Sequence, residues 1–299
     1  MPRIQANGIE LEYVIDGAAD ARPLLAIMGL GAQLIRWPQG FVDRLAARGF
    51  RVIRFDNRDV GLSEKFEAAG RPDLPAIMAA RAAGQAPPVA YTLDDMARDA
   101  AGLLDALGID KAHIVGASMG GMIAQLVAAD HPHKTLTLTS IFSTTGHPDL
   151  PPATPEAMTR LTLPAPDPRA DLEAYVAHSI ASSRVMGSPG YPATDEKLRA
   201  EAIATVERCY YPVGFARQYA AIVASGNRRE RVRKITAPTT VIHGTDDPLV
   251  PVSGGRDTAA NIPGAVWVEF PGMGHDIPAE LWDPIIEAIV VNAARVVAA

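Results

Sequence analysis

A chain of 299 residues with 48% hydrophobic and 21% charged side chains has the balance of a globular protein with a sizeable buried core, which excludes intrinsic disorder. Its formal net charge of −6 is spread along the chain without a basic run, which argues against nucleic acid or an anionic membrane as partner and for a small molecule. Met1 to Ala6 lack an apolar leader core, no apolar stretch is long enough to span a bilayer, and Cys209 is the only cysteine. A cytoplasmic protein without internal disulfides or a cysteine-rich metal site is therefore expected.

In chain order, Ile9 to Ile15, Leu24 to Met28 and Val52 to Phe55 read as strands, with Phe41 to Arg48 as a helix between the last two. Leu93 to Leu107 has apolar residues at helical spacing behind Thr92, an N-cap candidate with Asp94 and Asp95 in the first turn, and Gly108 ends it. His113 to Val115 is a short strand, Met119 to Ala129 a helix and Leu136 to Phe142 another strand. From Ser143 the texture changes: prolines crowd between Pro148 and Pro168, and helical patterns without a clear strand run to Arg233. Strand and helix alternation resumes with Thr239 to His243, Ser253 to Asn261, Val266 to Phe270 and a last helix from Ile277 to Val297.

Alternating strands and helices imply an α/β protein with a mostly parallel sheet covered on both faces, whose functional groups gather at the carboxyl ends of the strands. The core is assigned to residues 1–142 and 234–299, an inserted helical cap to 143–233, and a smaller Ala- and Pro-rich lid insertion to 66–90. Three candidate motifs each end a predicted strand.

Gly116-Ala117-Ser118-Met119-Gly120 joins a strand to a helix, a sharp turn that holds a serine hydroxyl clear of the sheet beside the free N–H groups of a helix N-terminus. A serine hydroxyl needs a base, and the base needs a carboxylate to fix its tautomer. His275, in the glycine-rich loop Pro271 to Asp276, is the apt histidine; the others fall in strands, after a helix or in the cap. Asp246 and Asp247 follow the strand Thr239 to His243, and since adjacent side chains diverge only one can face the histidine. Local physics leans weakly to Asp247, with Asp246 capping the turn. The order Ser118, Asp247, His275 is that of the nucleophile-elbow hydrolases.

On these motifs, with Met28-Gly29-Leu30-Gly31, Asp56 to Ser63 and Tyr91 to Met96, the sequence resembles the α/β-hydrolase superfamily over nearly its whole length, and within it the cap-bearing bacterial carboxylesterases similar to aclacinomycin methylesterase. The resemblance implies an eight-stranded α/β-hydrolase sheet and, through the G-x-x-D-x-x-x-P pattern of Gly244 to Pro251, selects Asp247 as the acid. It places the oxyanion hole at the backbone N–H groups of Leu30 and Met119, with Met28 standing where the family has histidine. The implied activity is hydrolysis of a small-molecule carboxylic ester through an acyl-enzyme on Ser118, with no cofactor and no metal. The alternatives are a lactonase or carbon–carbon bond hydrolase using the same triad, a cofactor-free perhydrolase, and a catalytically silent binding protein. Trp37, Tyr91, Tyr210 and Tyr211 are candidates for the substrate pocket, and Arg58 with Asp59 for a bracing ion pair. Oligomeric state stays open, a homodimer included.

Overall fold

A computed structural model describes residues 2–296; Met1 and residues 297–299, which include the end of the expected last helix, lie outside the described residues. Eight strands form one sheet: β1 (Arg3–Ala6), β2 (Ile9–Asp16), β3 (Arg22–Ile27), β4 (Phe50–Phe55), β5 (Ala112–Ala117), β6 (Thr135–Ile141), β7 (Thr239–Gly244) and β8 (Val266–Phe270). Their order is β1-β2-β4-β3-β5-β6-β7-β8. The two pairings made by β2 are antiparallel and all the others parallel. The expected α/β-hydrolase sheet is thus present. β1 escapes the sequence reading because it is a four-residue edge strand with little apolar signal.

Successive strand residues face opposite sides of the sheet, and both sides are buried. Leu25 and Ile27 of β3 join Ile53, Phe55 and Ile114 in the core on one face. Leu24 and Ala26 join Val52, Val115 and Ile141 in the core on the other. Helices α1 (Gln39–Ala47) and α11 (Trp282–Ala293) cover the second face, through Phe41, Leu45, Ile285 and Ile289. Helices α3 (Leu93–Ala106) and α4 (Met119–Asp130) cover the first. A residue such as Leu25, fully excluded from solvent, would cost about 2–5 kcal/mol if cut to alanine.

Local signals set the helix boundaries. Thr92 caps α3, its backbone N–H donating to Asp95 Oδ2 at 2.8 Å to close a capping box. Residues Met119 to Ala128 of α4 are all buried, as expected of a helix apolar on every side. α11 starts at Trp282 rather than Ile277, because Pro278 and a short 3₁₀ turn at Ala279–Leu281 intervene.

β6 pairs directly with β7, Leu138 opposite Thr239, so everything between them is an excursion from the sheet. That excursion contains α5 (Pro155–Thr162), α6 (Leu172–Met186), α7 (Asp195–Arg208), α8 (Pro212–Ser225) and α9 (Arg229–Val232), and no strand. α10 (Val252–Asn261) then packs on β7. The segment 66–90 holds α2 (Leu74–Ala82), which leans on α8: Arg81 Nη1 donates to the Val223 carbonyl at 2.7 Å. Among the described residues no helix is long and apolar enough to cross a membrane.

Candidate active site

The carboxyl ends of β5, β7 and β8 bring three sequence-distant side chains together. Ser118 follows β5 and caps α4 with φ 57° and ψ −122°, a left-handed conformation that a non-glycine residue adopts only when its surroundings compel it. The surroundings do so through close backbone approach: a Cβ on Gly116 would meet the Gly120 carbonyl oxygen at 2.1 Å, and one on Gly120 would meet that of Ile27 at 2.1 Å. The serine amide donates to the Ile141 carbonyl at 3.0 Å, and the Ser143 hydroxyl donates to the serine carbonyl at 2.9 Å.

His275 Nε2 lies 2.8 Å from Ser118 Oγ, and its Nδ1 lies 2.7 Å from Asp247 Oδ2. With hydrogen on Nδ1, the ring donates to the carboxylate and accepts from the hydroxyl. Burial opposes ionisation of the Asp247 carboxyl, but electrostatic attraction to the His275 ring and hydrogen bonds from His243 and His275 outweigh it and hold the group below the usual carboxylate range. Asp247 is 6% exposed, so this negative charge faces the imidazole from a dry site.

The choice between the two aspartates has a geometric answer. Asp247 faces His275 through one oxygen and through the other accepts the Leu249 and Val250 amides, at 2.9 and 2.8 Å, so it closes the turn as well. Asp246, expected to cap that turn, instead reaches across to the Gly272 amide at 2.9 Å and ties the β7 and β8 loops.

Several contacts around the histidine carried no signal in the sequence. The Phe142 ring lies 4.7 Å from the His275 ring. His243, set aside as a strand residue, places Nε2 3.4 Å from Asp247 Oδ2 and 2.8 Å from the Val250 carbonyl. The end of α6 grips the histidine loop: the His275 amide donates to the Met186 carbonyl at 2.7 Å, the Gly274 amide to Ser188 Oγ at 2.9 Å, and the Ser188 hydroxyl to Asp276.

Ser118 and His275 open onto a cavity of about 680 Å³ between the strand ends and the helices of 143–233. Leu30 and Met119 line it, and among the described residues neither amide has a hydrogen-bond acceptor. The walls are mostly apolar, with Met122, Phe142, Leu161, Ile222 and Leu249 among them, and Arg36, Arg184, Lys197, Glu201 and Asp276 are the charged residues in the lining.

The aromatic candidates are not brought to it. Trp37 is fully buried in the core, its ring 6.0 Å from that of Phe41. The Tyr91 hydroxyl donates to Asp59 at 2.7 Å, and the Tyr211 hydroxyl accepts from Arg217 at 2.7 Å. Tyr210 packs edge-on against Tyr175. Each ring is used for packing or for a buried polar network, and the aromatic walls of the cavity come from Phe142 and Tyr219 instead. Nor do Arg58 and Asp59 pair with each other: Arg58 forks onto Asp99 at 2.6 and 2.7 Å, and Asp59 takes Arg217. The segment 66–90 contributes no wall to the cavity. Among the described residues no cluster of His, Cys, Asp and Glu has the arrangement to hold a metal.

Residues 22–280 match the sequence model of the alpha/beta hydrolase fold. The chain belongs to the α/β-hydrolase family. It is 31% identical to rhodomycin D methylesterase DauP of Streptomyces sp. (strain C5), across 93% of this chain and 92% of that protein. It is 30% identical to rhodomycin D methylesterase DnrP of Streptomyces peucetius, across 98% of both. The enol-lactonase of Burkholderia xenovorans LB400 superposes with a TM-score of 0.74 at 26% identity, over 98% of this chain and all of that one.

Proposed function

We propose that this hydrolase cleaves carboxylic esters by acyl transfer through Ser118, with His275 as general base and Asp247 as the orienting acid. The observation that carries the reading is the unbroken relay from Asp247 Oδ2 through both ring nitrogens of His275 to Ser118 Oγ, at 2.7 and 2.8 Å, opening onto an apolar cavity. Ser118 Oγ attacks the ester carbonyl while His275 Nε2 takes its proton, and the imidazolium so formed is stabilised by the Asp247 carboxylate. The amides of Leu30 and Met119 face the developing oxyanion, and α4 adds the positive end of its dipole. The tetrahedral intermediate collapses, the alcohol leaves with the proton from His275, and an acyl-serine remains. Water attacks it with His275 again as base, releasing the carboxylic acid and restoring the serine.

The helices of 143–233 act as a cap that bounds the substrate cavity. Its walls suit a mostly apolar acyl group, and the two Streptomyces relatives, named for a methyl ester, favour a small alcohol as leaving group. A lactone is the second reading, favoured by the enol-lactonase neighbour, since a ring ester uses the same relay with the leaving alcohol kept on the product.

Turnover of p-nitrophenyl butyrate by Ser118→Ala and His275→Ala tests the reading. Each is expected to lose about 10³-fold or more in kcat with an unchanged circular dichroism spectrum. Activity of Ser118→Ala within tenfold of the parent overturns it. Asp247→Asn should cost far more than Asp246→Asn, and the opposite ranking would reassign the acid.

A further inference from the structure

The oxyanion loop, Met28 to Gly31, lacks the histidine that its family position implies, and two buried side-chain amides hold it instead. From the core, Asn57 Nδ2 donates to the Met28 carbonyl at 3.0 Å. From α8, Gln218 Oε1 accepts the Gly31 amide at 2.8 Å. Gln218 is itself fixed, because its Nε2 donates to the Arg58 carbonyl at 2.7 Å and Arg58 is forked onto Asp99. Asn57 is 2% exposed and Gln218 fully buried, so both side-chain amides make these bonds from dry positions, although Gly31 itself is half-buried. Gly31 has φ +66° and closes a tight turn in which the Ala32 amide donates to the Gly29 carbonyl. A Cβ there would strike the Phe215 ring at 2.6 Å, so α8 presses on the turn as well as bonding to it.

Leu30 lies between the two clamped points. Its amide direction is set by the peptide planes on either side, one ending in the Gly31 N–H held by Gln218. We infer that Gln218, carried by the inserted helical segment rather than by the core, is a positioning residue that aims the Leu30 amide at the oxyanion. Seating α8 against the sheet and completing the oxyanion site are then the same event. Esterase chemistry at Ser118 is the premise of this role.

The test compares wild type, Gln218→Met, which keeps the side-chain length and removes the bonds, Gln218→Glu, which keeps an acceptor for the Gly31 amide, and Ser118→Ala. For each, kcat and KM on p-nitrophenyl butyrate are measured with the inhibition constant of butylboronic acid, whose tetrahedral serine adduct places an oxygen where the oxyanion forms. In Gln218→Met, kcat should fall at least about tenfold, approaching the 10²–10³ that loss of an oxyanion donor costs, with boronate affinity falling in parallel and KM within about twofold. Gln218→Glu should recover part of both. Wild-type kcat and boronate affinity in Gln218→Met, or a loss confined to KM or to the melting temperature, overturns the positioning role. In that case an inactive Ser118→Ala leaves the triad reading standing, whereas an active Ser118→Ala removes both. Amide hydrogen exchange of the wild type needs no variant: the Gly31 amide should be protected, and rapid exchange there also overturns the role.

Discussion

The two halves of the segment between β6 and β7 are attached to the rest of the molecule by different physics. The α7 and α8 half meets the core through buried charges: Arg217 forks onto Asp59 at 2.7 Å with both side chains nearly free of solvent, and Arg208 reaches Asp56 at 2.7 Å. Neutral bonds reinforce it, including Gln33 Nε2 to the Thr205 and Cys209 carbonyls at 2.8 Å each. The α5 and α6 half meets α7 through exposed pairs, Arg199 with Glu173 and Arg184 with Asp195, and touches the histidine loop at Met186 and Ser188. A buried charge stripped of its partner has no water to turn to, whereas an exposed one is rehydrated at once. The cavity thus has one wall joined to the core by buried charges and one joined to it by neutral bonds at the histidine and acid loops, with its ion pairs at the surface.

Breaking the wall joined by buried charges should have the largest effect. Arg217→Leu leaves Asp59 as an uncompensated buried charge with only the Tyr91 hydroxyl and the Phe66 amide for partners, at a cost of about 3–5 kcal/mol. A fall in the urea midpoint with an unchanged slope would register it, and a loss under 1 kcal/mol would show that α8 is not bolted by this pair. Ser188→Ala probes the junction between the α5 and α6 half and the histidine loop. It orphans the Gly274 amide and removes the donor to Asp276, whose carboxyl burial already pushes up, so about 1–3 kcal/mol should be lost. The same measurement reads it, and a neutral result would leave the His275 amide bond to the Met186 carbonyl as the tie between α6 and the loop.

The sheet and the candidate site were legible because their signals are local. Gly116 to Gly120 forms its turn from five consecutive residues, and the segments of Asp247 and His275 each begin where an apolar strand stops. The choice between Asp246 and Asp247 was not local, since it turns on where β8 brings residue 275, and family pattern decided what spacing left open. In the buried polar network, Arg58 and Asp59 were legible as bracing charges but their partners were not. Asp59 and Arg217 are far apart in the chain, Gln218 belongs to no motif, and a buried charge looks in sequence like an exposed one. Tyr91 and Tyr211 misled for the same reason: an aromatic residue announces burial without saying against what, and here both hydroxyls serve the Asp59 and Arg217 cluster.

The smallest expected effect is the sharpest check on the comparison. Arg184 of α6 joins Asp195 at 2.5 Å and donates to the Ala193 carbonyl at 2.7 Å, two bonds each as short as any of the four that Arg217 makes. The two sites differ in water: the Arg184 side chain is 43% exposed against 2% for Arg217. If solvent access rather than bond geometry sets the strength of attachment, Arg184→Ala should cost no more than about 1 kcal/mol, and that loss should shrink further in 0.5 M salt, where screening weakens a surface pair but spares a buried one. Urea midpoints for Arg184→Ala and Arg217→Leu at low and high salt measure both terms together. A loss for Arg184→Ala comparable to that for Arg217→Leu and insensitive to salt would mean that both halves are fixed alike.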